Sequence, residues 1–125
     1  MLVAYASKTG NVARFVERLP VQRCRIWTGE ERIDAPCVLV TYTTGFGQVP
    51  AEVERFVTHN RGHIRGVAAS GNRNWGANFA RSADVLTGRY GLPLLLKFEL
   101  AGSDKDAERF LQALQQMDRR APRLA

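Results

Sequence analysis

Three short runs gather the residue types that hold small anionic or flat ligands. The first is Ser7-Lys8-Thr9-Gly10-Asn11, followed by Val12. The second is Thr43-Thr44-Gly45-Phe46-Gly47-Gln48, and the third is Ser70-Gly71-Asn72-Arg73-Asn74-Trp75-Gly76-Ala77-Asn78. The first run opens a helical pattern, so its backbone N–H groups lack internal partners and form an anion site. Ser7, Thr9 and Asn11 add hydroxyl and amide donors, and Gly10 lets the backbone come close. That chemistry suits a phosphate, although a plain capped helix start would read the same way. Neither GxxxxGK[ST] nor GxGxxG is present. The other two runs suit a flat ring. Gly45 and Gly47 permit close approach or positive φ, and Phe46 and Trp75 offer faces for stacking. Trp75 alone would equally cap a core from a loop. A phosphate cradle beside an aromatic slot points to flavin mononucleotide (FMN).

Other chemistry is thin. His59 and His63 stand four apart across what reads as a helix end and turn, so no metal site is expected. No nucleophile–base–acid triad can be assembled, because both histidines fall in that one segment and both cysteines sit in apolar stretches. Cys24 and Cys37 have no CxxC spacing and read as reduced core thiols of a cytoplasmic protein. Glu99 either reaches the site or caps a loop.

The elements that must position these runs follow from periodicity. Leu2 to Ala6 reads as a buried strand. Val12, Phe15, Val16 and Leu19 share one helical face, ended by Pro20. Gln22 to Trp27 alternates as an edge strand, and Cys37 to Val40 is a central one. A short helix between Thr28 and Pro36 is optional. Pro50 starts a second helix, with Val53, Phe56 and Val57 buried. Ile64 to Ala69 is a strand. Phe79, Ala83, Leu86 and Tyr90 mark a helix, and Leu92 to Phe98 a strand that tolerates Pro93 at an edge. Ser103 and Asp106 make a capping box for a last helix that buries Ala107, Phe110, Leu111, Leu114 and Met117. The order βαββαβαβα predicts an α/β, doubly wound, five-stranded parallel sheet in the order 2-1-3-4-5, with helices on both faces. The loops after strands 1, 3 and 4 then converge where such sheets bind ligands.

Length and charge bound the rest. The chain has 125 residues and reads as one domain over 1–125. The longest apolar stretches are too short to cross a membrane, and Met1 to Ala6 is too short for a signal-peptide core. Lys and Arg total 18 against 12 Asp and Glu, a net charge of +6. The cations are dispersed and not interleaved with aromatics, so no nucleic-acid partner is expected.

The segments Ser7 to Val12, Thr41 to Pro50, Gly66 to Gly76 and Lys97-Phe98-Glu99-Leu100 resemble the NrdI flavodoxins over essentially the whole chain. The resemblance implies a flavodoxin-like fold, tightly bound FMN and a partner, the small subunit (NrdF) of class Ib ribonucleotide reductase. In that family the flavin, reduced by a separate reductant, passes electrons to dioxygen. The superoxide or peroxide produced oxidises a dimanganese centre, and a tyrosyl radical forms. Such a protein is an accessory activator; the alternative is a general electron-transfer flavodoxin. Carried over by position, Ser7, Lys8, Thr9, Gly10, Asn11 and Val12 would hold the phosphate. Thr43, Thr44, Gly45, Phe46 and Gly47 would line one side of the ring, and Gly71, Asn72, Trp75 and Gly76 the other. Val12 stands where flavodoxins often carry Thr, and Gly45 where relatives carry Asn.

Overall fold

The structure, a computed structural model, describes residues 1–120. The elements run β1 (Leu2–Tyr5), α1 (Asn11–Glu17), β2 (Arg23–Arg25), β3 (Cys37–Thr41), α2 (Ala51–Asn60), β4 (Ile64–Gly71), α3 (Arg81–Tyr90), β5 (Leu94–Glu99) and α4 (Asp104–Arg120). Short 3-10 segments, Arg61–His63 and Arg73–Asn78, precede β4 and α3. The sheet order is β2-β1-β3-β4-β5, with every pair parallel. This is the doubly wound arrangement that the alternation of strands and helices predicts.

Continuous apolar runs become the middle strands because both faces are covered. Every residue of β3 is buried. On one face α1 and α4 meet the sheet: Phe15 stacks on Phe98 with centroids 4.0 Å apart and meets Phe110 edge-on at 5.6 Å. On the other face Val53, Phe56 and Val57 of α2 join Ala83 and Leu86 of α3 over Ala4, Leu39 and Val67. Ser103 and Asp106 form the capping box of α4, each side chain accepting from the other's backbone N–H at 3.1 and 2.8 Å.

The departures have physical reasons. α1 ends at Glu17, before Pro20, because Leu19 turns back to donate to the Val16 carbonyl and stays buried outside the helix. Phe79 precedes α3, whose entry is bent by Ala80 in the left-handed region. Pro50 stands one place ahead of α2, as its N-cap. No helix forms between Thr28 and Pro36. Instead the Glu31 carboxylate accepts from the N–H groups of Trp27, Thr28 and Gly29 at 2.8–3.1 Å, a turn that competes with helix. Asn60 closes the same strap from α2, accepting from Ile33 N–H and donating to the Glu31 carbonyl. Cys24 corrects the expectation of two core thiols: it is only half-buried, because β2 is an edge strand. Cys37 is fully buried, and burial pushes its thiol up to about 12. Among the described residues no helix is long and apolar enough to cross a membrane.

Candidate functional site

β1, β3 and β4 are neighbours, so the loops at their carboxyl ends meet. Between them lies a cavity of about 300 Å³, lined from the first loop by Ser7, Lys8, Thr9, Asn11 and Val12. Thr43, Thr44 and Gly45 line it from the second, and Gly71, Asn72 and Trp75 from the third. The structure therefore brings together most of the residues singled out by type and spacing.

The first loop is held from behind and open in front. Ser7 Oγ accepts from the Ala13 N–H at 3.1 Å, and the Ser7 carbonyl accepts from Arg25 Nη2 at 3.3 Å. Gly10 adopts φ 90°, which favours glycine, and lets the chain turn into α1. It does not line the cavity; a Cβ there would meet the Arg14 guanidinium at 3.0 Å. Among the described residues, the N–H groups of Lys8, Thr9, Gly10, Asn11 and Val12 have no protein acceptor. Five consecutive free donors beside two hydroxyls form a cradle for an anion.

The second loop is a closed turn. Thr44 and Gln48 exchange backbone hydrogen bonds at 3.0 and 2.7 Å. Gly45 and Gly47 carry the positive φ values, 56° and 98°, that the turn requires. Beneath it, Thr43 Oγ1 donates to the Ser70 carbonyl at 3.0 Å and lies 2.7 Å from Ser82 Oγ, all buried. Phe46 and Gly47 depart from expectation. They lie outside the main cavity and border a second one with Gln48, Arg81 and Arg89, because Gly47 packs on the Arg81 side chain. Phe46 is 85% exposed.

The third loop is set by β4 and β5. A Cβ on Gly71 would collide with the backbone of Ala80, so only glycine fits there. The Asn72 side chain accepts from the Asn74 N–H at 2.9 Å and starts the 3-10 segment that presents Trp75. Glu99 caps this loop: its carboxylate accepts from the Arg73 N–H at 3.0 Å and pairs with the Arg73 side chain. Gly76, at φ 55°, shapes the segment from outside the cavity.

Two lining residues escaped the sequence reading, Tyr42 and Leu100, while Ser70 stood in the third run without an assigned role. Tyr42 donates to Glu52 at 2.6 Å; burial first, and then that carboxylate, raise its phenol well above the ordinary tyrosine value. Ser70 Oγ donates to the Leu100 carbonyl at 2.6 Å, and Leu100 holds φ 54°. The available signal was position, since all three stand within one residue of a strand's carboxyl end. Among the described residues no carboxylate or imidazole lines the cavity, and Lys8 is the one permanently charged side chain there. The site is equipped to bind and orient. Free amides, hydroxyls and the Trp75 indole fit a phosphate-bearing aromatic ligand.

The family described as "NrdI Flavodoxin like" matches residues 3–112. The chain is 50% identical over 115 residues to "Protein NrdI" of Bacillus licheniformis, covering 92% of this chain and 88% of the relative. It is 44% identical over 110 residues to "Protein NrdI" of Macrococcus caseolyticus, covering 88% and 85%. Among solved structures it resembles a short-chain flavodoxin associated with a non-canonical PDU bacterial microcompartment. The TM-score is 0.66 at 23% identity, over 96% of this chain and 97% of that one, a likeness that bears on the fold alone.

Proposed function

The chain belongs to the NrdI flavodoxin-like family of FMN redox proteins, associated with class Ib ribonucleotide reductase, and on that premise we propose that it activates the small subunit of that enzyme. Bound in the cavity and reduced by a separate donor, FMN would supply electrons to dioxygen, giving the superoxide or peroxide that oxidises the subunit's dimanganese centre.

The chain's own residues bind, orient and leave access. The free amides of Lys8 to Val12, with Ser7 and Thr9, would hold the phosphate. Thr43, Thr44 and Gly45 on one side, and Gly71, Asn72 and Trp75 on the other, would flank the ring. Phe46, Gly47 and Gly76 act on loop shape and rim and do not line the cavity. The observation that carries the reading is the shortness of the second loop. A closed turn of five residues, Thr44 to Gln48, would leave the ring end uncovered, as access by a gas and by a docked protein requires. A net charge of +6 also lessens repulsion of an anionic reduced flavin and of superoxide.

The test begins with the colour of the purified protein and the release of FMN on denaturation. The reduced protein, manganese-loaded small subunit and oxygen are then mixed, and tyrosyl radical is measured by electron paramagnetic resonance. Radical formation is expected. A flavin-loaded protein that yields none, yet reduces unrelated acceptors, would make it a general electron-transfer flavodoxin.

A further inference from the structure

β2 is the three-residue edge strand, yet its last residue reaches the first loop of the cavity. Arg25 lies opposite Tyr5 in the parallel register. Its guanidinium carbon stands 4.0 Å from the centroid of the Trp27 ring and 5.7 Å from that of Tyr5. Nη2 donates to the Ser7 carbonyl at 3.3 Å, while Nε is buried without a partner among the described residues. An unpaired buried donor is costly, and an edge strand does not need an arginine there for packing. The two aromatic rings fix the guanidinium plane and compensate part of that cost.

The consequence falls on Ser7. Arg25 holds its carbonyl and Ala13 N–H holds its hydroxyl, so Ser7 is held through both its backbone and its side chain. In a planar trans peptide the next N–H points opposite to the carbonyl. Lys8 N–H is therefore turned away from Arg25, and it begins the run of five free donors. The other cations near the loop touch it differently. Lys8 is exposed, and Arg14 bonds the Asn11 side chain at 2.6 Å, not the backbone.

We propose that Arg25 is a positioning residue for phosphate recognition: its bond to the Ser7 carbonyl aligns the amide cradle, and its fixed charge favours a dianionic phosphate monoester over the same ligand without phosphate. The proposal rests on the reading of the cavity as an FMN site. Arginine suits the task because it stays charged and its flat fork both stacks and donates.

Apo protein prepared from wild type, R25Q and R25K is titrated with FMN and with riboflavin, following flavin fluorescence. R25Q is expected to lose about tenfold or more in FMN affinity, with riboflavin affinity within about twofold of wild type. R25K, which keeps the charge, recovers part of the FMN loss. Equal losses for both ligands, or unchanged FMN affinity, overturn the proposal. Wild type that binds neither flavin overturns the cavity's reading as well, and that outcome is distinct from any difference between variants. If circular dichroism shows R25Q unfolded, W27A decides, because Trp27 is 68% exposed and lies beyond the end of β2. A roughly threefold loss for FMN alone is then expected, and affinities equal to wild type overturn the proposal.

Discussion

The floor of the cavity and its rim differ in what their atoms are committed to. On the floor, Thr43, Ser70 and Ser82 are 7%, 5% and 0% exposed, and their hydroxyls bond one another or nearby carbonyls. Gly71 lies against the Ala80 backbone with no space for a side chain. On the rim, Phe46, Trp75 and Leu100 are 85%, 42% and 48% exposed. The floor is specified by packing inside the chain and fixes where the loops stand. The rim holds apolar surface with no internal use, which is the character of a recognition surface. Stability and partner function should therefore separate between the two.

The largest effect is expected at Gly71. In Gly71→Ala the new methyl presses on the Ala80 backbone, which cannot yield without separating β4 from α3, and about 3 kcal/mol is lost. Thermal unfolding followed by circular dichroism should show Tm lower by roughly 10 °C or more; a shift of a degree or two would mean that the floor is soft. Thr43→Val follows. It strands the Ser82 hydroxyl and the Ser70 carbonyl, at about 2 kcal/mol in urea unfolding.

The strap after β2 sets a scale outside the cavity. Burial pushes the Glu31 carboxyl upward, but the N–H groups of Trp27, Thr28 and Gly29, with its own backbone N–H, outweigh it and hold it below the usual glutamate range. A depressed folded value stabilises the fold above the unfolded pKa, and that stability is lost as pH falls through the folded one. Glu31→Gln should therefore cost about 1 kcal/mol at neutral pH. Its gap from wild type should close in melts at acid pH below the glutamate range; a gap that persists there would deny the carboxylate its role. Smallest in stability is Phe46→Ala, within about 0.5 kcal/mol of wild type. The same variant should lower radical yield with the small subunit several-fold, and unchanged yield would remove Phe46 from the docking surface.

The framework was legible because it follows from periodicity. The alternation of strands and helices, the buried faces of α1 and α2 and the Ser103–Asp106 box are each written in local spacing, and the strand order follows from the doubly wound pattern that the alternation fits. The loops were legible by composition but not in detail. Thr43 reads as a ring contact, yet its hydroxyl turns inward to Ser82, a residue 39 positions later. Gly47 reads as a close approach or a positive φ; it takes φ 98°, and the chain it approaches is Arg81. The Thr28–Pro36 segment reads as an optional helix because no local pattern reveals that one carboxylate collects three backbone N–H groups. Arg25 reads as the polar half of an alternation, and only the pairing of β2 beside β1 brings it to Ser7.

Leu100 carries one more consequence. At φ 54° it occupies a region that a glycine enters freely and a leucine at a penalty of roughly 1 kcal/mol. The Ser70 hydroxyl and the Gly71 carbonyl pin it there, bonding its two backbone groups at 2.6 and 3.0 Å. Selection for thermal endurance alone would place glycine at this corner. The isobutyl group, 48% exposed at the mouth, instead supplies apolar surface there that glycine would lack.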